Sequence, residues 1–177
     1  YNAFKKVDVS SAKCIDANVK FEIGDLNITA FRLPHDSTEN VGYCIENAGV
    51  TMSVMTDVGA PTDEMKSAVA QSNYVIIEAN YDDIMLQNGN YPTHLKARIT
   101  SGTGHLSNKQ TASFLAENFH EDLNKIWLCH LSEENNHPEL ARKTIETYLN
   151  SFGLINDKDY ELEVLRRNAP TGPFDLR

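Results

Sequence analysis

The order in which strand-like and helix-like segments follow one another restricts this chain more than any other feature. Phe21 and Ile23 alternate with polar residues, Gly24-Asp25 suits a two-residue turn, and Leu26, Ile28 and Ala30 resume the alternation. That pattern predicts a β-hairpin. Tyr43 to Glu46 and Val50 to Met55 flank Asn47-Ala48-Gly49 and predict a second hairpin. After Asp57 the period changes. Met65, Ala68 and Val69 have helical spacing behind Thr62, and a further helix is predicted near Thr93 to Ile99. Tyr74 to Ile77 and Ile126 to Cys129 read as short buried strands, and a last strand is predicted over Tyr160 to Leu165. Ser107 and Gln110 form a capping box ahead of the apolar stripe Ala112, Leu115, Ala116 and Phe119. Pro138 suits a first helical position, and Ala141, Ile145, Tyr148, Leu149 and Phe152 then share one helix face. Hairpin-linked strands followed by helix-separated strands predict an α/β fold, a mixed β-sheet with flanking helices. The first 18 residues are polar and irregular and read as a connection.

Composition narrows the functional classes. With 41% hydrophobic and 23% charged residues the chain is globular rather than disordered, and its 177 residues suit one domain or a large piece of one. No apolar run approaches a membrane span, and Tyr1 to Lys6 do not open a signal peptide. Three cysteines without CxxC spacing argue against a disulfide framework and for a reducing compartment, the cytoplasm. The net charge of −9 runs against electrostatic binding of nucleic acid unless bound cations and local basic residues supply positive charge; Lys96, Arg98 and Lys109 are candidates.

Four apolar segments end in residues able to bind metal or move protons. Phe31 to Pro34 runs into His35-Asp36, Val50 to Thr56 into Asp57, Tyr74 to Ile77 into Glu78, and Ile126 to Cys129 into His130. Open α/β sheets build their sites where strands end at their carboxyl side. Imidazole and carboxylate together suit zinc, manganese or iron, and a carboxylate can bridge two cations. Singly, each residue also has a structural reading: a turn histidine, a turn-forming Asp57 before Val58-Gly59, a helix-capping Glu78. Gly102-Thr103-Gly104-His105 precedes a helix start, where backbone N–H groups can hold an anion; a plain loop before a capped helix is the alternative.

In order along the chain these segments are Pro34-His35-Asp36, Val41-Gly42-Tyr43, Thr56-Asp57-Val58-Gly59, Glu78-Ala79-Asn80, Gly104-His105-Leu106-Ser107 and His130-Leu131-Ser132-Glu133-Glu134-Asn135-Asn136. The set resembles the metallo-β-lactamase-fold nucleases, and within them the YycJ/WalJ-type exonucleases, bacterial relatives of ribonuclease Z. The resemblance runs from about Phe21 to Phe152. It implies that His35 ligates one metal, Asp57 bridges two, and His130 ligates the second. It also implies that His105 and Glu78 are the catalytic pair beside the scissile phosphate, with the carboxylate fixing the imidazole tautomer.

By the same resemblance, the chain is expected to be the C-terminal half of the αββα sandwich, a portion of a single domain over residues 1–177. The family's His-x-His-x-Asp-His motif is absent, since no histidine precedes His35. Where this branch commonly has a histidine after Glu-x-Asn, the chain has Tyr81. The expected activity is that of a metal-dependent phosphodiesterase, an exonuclease on nucleic acid and on DNA before RNA, using two divalent ions, Zn or Mn. The 177-residue chain alone is expected to be inactive and to associate through an exposed sheet face. Two other classes stay open: hydrolysis of a small ester, lactone or thioester, and a non-catalytic interaction module.

Overall fold

Two tight turns open the fold. At Gly24 the backbone takes φ 58°, and Ala48 and Gly49 take 49° and 83°, the left-handed conformations that reverse a strand in two residues. In the computed structural model, which describes residues 14–176, they join β1 (Lys20–Ile23) to β2 (Leu26–Arg32) and β3 (Val41–Asn47) to β4 (Val50–Met55). The prediction for residues 1–13 lies outside the described residues. β5 (Tyr74–Glu78), β6 (Lys125–Cys129) and β7 (Glu161–Val164) complete one seven-stranded sheet in chain order. β1 to β4 pair antiparallel and β4 to β7 parallel, so the predicted mixed sheet is the observed one.

The parallel half needs crossovers, and helices supply them. α1 (Asp63–Val69) begins at Thr62, whose side chain accepts from the Met65 N–H. α2 (Asp83–Asn88) and α3 (Thr93–Ile99) follow β5. α4 (Asn108–Glu117) carries the full Ser107–Gln110 capping box. α5 (Pro138–Ser151) has Pro138 in its first turn and buries Ala141, Ile145 and Leu149 at helical spacing. Phe152 departs from the predicted stripe: it caps α5, is 57% exposed, and stacks on Tyr148 with ring centroids 5.4 Å apart. α2 was not foreseen, because of its residues only Leu86 is buried and no stripe marks it.

One face of the sheet packs on the helices. Met55, Ile77, Ile126 and Leu128 meet Met65, Leu115, Ile145 and Leu149 in a single core. Each such side chain contributes roughly 1.5–3 kcal/mol by leaving water. The opposite face carries Tyr43, Ile45, Met52, Val54 and Ile76, half-buried, and Trp127, which is covered by Phe174 at 5.0 Å. No helix among the described residues is long and apolar enough to cross a membrane.

Candidate metal centre

β4, β5 and β6 run parallel, so their carboxyl ends share one edge of the sheet. Asp57, Glu78 and His130 stand at that edge. Asp57 and His130 hold φ of 59° and 55°, backbone conformations that cost non-glycine residues about 1–3 kcal/mol and cluster at functional sites. Loop approach completes the arrangement. A side chain at Gly59 would run into the Gly102 carbonyl, and one at Gly104 into the carbonyls of Arg98 and Ile99. Gly59 therefore lets the loop after β4 touch the loop before α4, and Gly104 lets that second loop close on the end of α3, which brings in His105.

Glu78 organises the centre. It has no solvent exposure, and both carboxylate oxygens are occupied. Oε1 accepts from the Leu106 N–H at 2.7 Å, and Oε2 from the Asp57 N–H at 2.9 Å. Oε2 also lies 3.1 Å from His130 Nδ1 and 3.3 Å from His105 Nδ1. Burial pushes the Glu78 carboxyl up, but its bonds to His105, His130 and the Leu106 N–H outweigh that and hold it below the usual range. The Glu78 bond raises His130 above the ordinary imidazole value against its burial, with Asp57 adding to the effect.

Asp57 sits between two imidazoles. Its Oδ1 lies 3.2 Å from His35 Nε2 and 3.5 Å from His130 Nε2. The Nδ1 of His35 lies 2.9 Å from Asp36 Oδ1, and Asp36 is in turn held by Arg98, which places its carboxyl below the usual range. His130 Nδ1 points at the Glu78 carboxylate, and His35 Nδ1 accepts from the Asp36 N–H at 2.8 Å, so both Nε2 atoms face the Asp57 oxygen. In the metal-free protein a ring N–H can bridge such a gap, and a divalent cation can take the place of that proton. The ligand atoms of Asp57, Glu78, His105 and His130 all lie within 4.8 Å of one another, with His35 adjoining through Asp57. Two nitrogens and carboxylate oxygens suit a first-row divalent ion, so the donor set fits the group that the resemblance implies.

All five residues singled out in the sequence therefore meet. Asp36 and Asn80 were missed as partners. Asn80 donates from Nδ2 to the His130 carbonyl at 2.9 Å and so holds its left-handed backbone; it lies two residues past the end of β5 and 50 residues from the histidine. Only the strand-end position after Glu78 could have signalled it. The anion-binding reading of the loop before α4 does not hold for an external ligand. The N–H groups of Leu106, Ser107, Asn108 and Gln110 go to Glu78, Gln110, Tyr81 and Ser107. The anion at this helix start is the protein's own Glu78. Tyr81 is 3% exposed and packs with Leu86 and Ile99, and burial pushes its phenol up to about 12, so it belongs to the core.

His105 and His130 open onto a cavity of about 860 Å³ that extends past Tyr91 and Leu95 to Arg166 and Arg167. Of the predicted basic residues only Arg98 lines it; Lys96 donates to the Gln87 carbonyl and Lys109 faces Asp83. A smaller groove of about 510 Å³ between the first strands and α1 contains none of the imidazoles.

The chain is 32% identical over 148 residues to exodeoxyribonuclease YycJ of Bacillus anthracis, covering 84% of the chain and 56% of the relative. It is 35% identical over 157 residues to exodeoxyribonuclease WalJ of Streptococcus pneumoniae, covering 89% and 58%. The chain thus spans a little over half the length of these curated relatives. Among solved structures, the metallo-β-lactamase fold protein YhfI of Bacillus subtilis matches 86% of the chain and 52% of its own, with TM-score 0.60 and 14% identity. Zn²⁺-bound PqqB of Methylobacterium extorquens matches 84% and 52%, with TM-score 0.55 and 16% identity. Residues 2–121 match the β-lactamase superfamily domain, and the chain belongs to that family.

Proposed function

We propose that this chain carries part of the active centre of a metal-dependent phosphodiesterase, an exonuclease acting on nucleic acid and on DNA in the first place. The observation that carries the reading is Asp57 Oδ1 between the Nε2 atoms of His35 and His130, at 3.2 and 3.5 Å. The similarity to two exodeoxyribonucleases supports the substrate class. In this reading His35 and Asp57 would hold one divalent ion, Zn or Mn, and Asp57 and His130 would hold a second. Two such ions, when bound, activate water and neutralise phosphate charge. Glu78 faces His130 Nδ1 and would leave its Nε2 to an ion, while the Asp36 N–H anchors the His35 ring at Nδ1. His105, its Nδ1 on Glu78, presents Nε2 to the cavity and supplies a proton to the departing oxygen.

His35, Asp57 and His130 cannot complete two coordination shells. The remaining ligands, in this reading, come from a His-x-His-x-Asp-His segment on the N-terminal side of Tyr1, so residues 1–177 form the C-terminal portion of one domain. The half-buried row of Tyr43, Ile45, Met52, Val54 and Ile76 is the surface that the remainder of the domain covers; without it, copies of the chain associate there. The cysteines Cys14, Cys44 and Cys129 are free, which suits the cytoplasm. The test is a substrate panel on the full-length protein, with and without chelator. Chelator-sensitive release of nucleotides from DNA ends is expected, and residues 1–177 alone should release none. Turnover confined to small esters, lactones or thioesters would contradict the substrate class.

A further inference from the structure

We infer that the groove from His105 and His130 to Arg166 and Arg167 seats one single nucleic-acid strand, its phosphates on the two arginines and its bases against Tyr91 and Leu95. The inference rests on the phosphodiesterase reading and adds the strand's path. Charge is the first argument. The chain has 25 acidic residues to 16 basic ones, yet the groove is lined by three arginines and one carboxylate, Glu133. Of the three, Arg98 is neutralised by Asp36. Elsewhere Lys20, Lys66, Lys109, Lys125, Arg142 and Lys158 are likewise held by carboxylates. Arg166 and Arg167 have no carboxylate within ion-pair distance among the described residues and are exposed. Their charge is free for a phosphate, in a protein whose overall field would repel a polyanion.

Geometry is the second argument. Arg167 donates from Nε and Nη2 to the Leu131 carbonyl, at 3.2 and 2.9 Å. Two of the five guanidinium N–H donors are used, and three remain. Leu131 follows His130 directly, so the arginine is tied to the loop that bears a proposed metal ligand. A phosphate held there is registered to the centre without an ordering cost to the side chain. The same groove is lined by Tyr91 and Leu95, both half-buried. An aromatic side chain and unpaired arginines lining one groove are the combination that binds unpaired strands, because a duplex hides its base faces.

The test uses the full-length protein in chelator, where no chemistry occurs, and measures fluorescence anisotropy of a labelled single-stranded DNA oligonucleotide across a salt series. R166A/R167A is expected to weaken binding at least tenfold and to reduce the salt slope by about 1.4, since each phosphate contact on a single strand contributes about 0.7. R166K/R167K should keep most of that slope. Because Arg167 also braces Leu131, Arg166→Glu alone, which leaves that bond in place, should weaken binding too. Equal affinity of all variants, or equal binding of a blunt duplex, would overturn the inference. Turnover of bis(p-nitrophenyl) phosphate by the metal-loaded protein is read in parallel. Turnover without strand binding overturns the strand path and leaves the phosphodiesterase reading intact; absence of both overturns that reading as well.

Discussion

A carboxylate without solvent exposure persists only where its oxygens are occupied, and Glu78 meets that condition with two backbone N–H groups and two imidazoles. Glu78→Ala would leave the Asp57 and Leu106 N–H groups unpaired and free both imidazoles to turn. A loss of roughly 3–5 kcal/mol is expected in urea denaturation. The same residue sets a pH signature in the metal-free protein. The Glu78 carboxyl is depressed, so its contribution is present above about pH 4.5 and is lost as pH falls through its folded value. His130 is raised, so its contribution is full below about pH 6.5 and is lost as pH rises through its folded value. Thermal melts in chelator should therefore peak between about pH 4.5 and 6.5. Saturating metal should remove the alkaline decline, because the cation replaces the proton at the imidazole. A chelated protein whose Tm climbs steadily from pH 6 to 9 would contradict the Glu78–His130 pairing.

At the scale of elements, the strands were legible because their period and their turns agree. Gly24 and Ala48-Gly49 adopt the left-handed turns that their composition predicts. The capped starts of α1, α4 and α5 were legible from Thr62, Ser107 with Gln110, and Pro138. Ser107→Ala removes the oxygen that accepts the Gln110 N–H and should cost about 1 kcal/mol, read from the urea midpoint. A midpoint unaltered by the substitution would mean that the box adds nothing to α4. What was not legible follows from how each feature is made. α2 has one buried residue, so periodicity cannot find it. Asp36 acts through Arg98, 62 residues on, and Asn80 through His130, 50 residues on; such partners are fixed by the sheet edge and not by local spacing. The loop before α4 looked like a site for an external anion because its chemistry is right, but the anion is Glu78, delivered by a separate strand. Arg166 and Arg167 follow β7 and reach the site only because β7 is hydrogen-bonded beside β6, whose end leads into His130.

At the scale of the whole molecule, the sheet gathers residues from β2, β4, β5 and β6 and the loop before α4 onto one edge, and the opposite apolar face stays half-covered. Both features agree with a chain that makes up a little over half the length of the relatives it matches. The central claim is that Asp57 bridges two divalent ions held by His35 and His130. Elemental analysis of the full-length protein and its Asp57→Ala variant, each equilibrated with zinc or manganese and desalted, tests it most directly. The expected result is about two ions per chain in the parent and at most one in the variant, as a bridging ligand requires. An Asp57→Ala protein that retains both ions would contradict it.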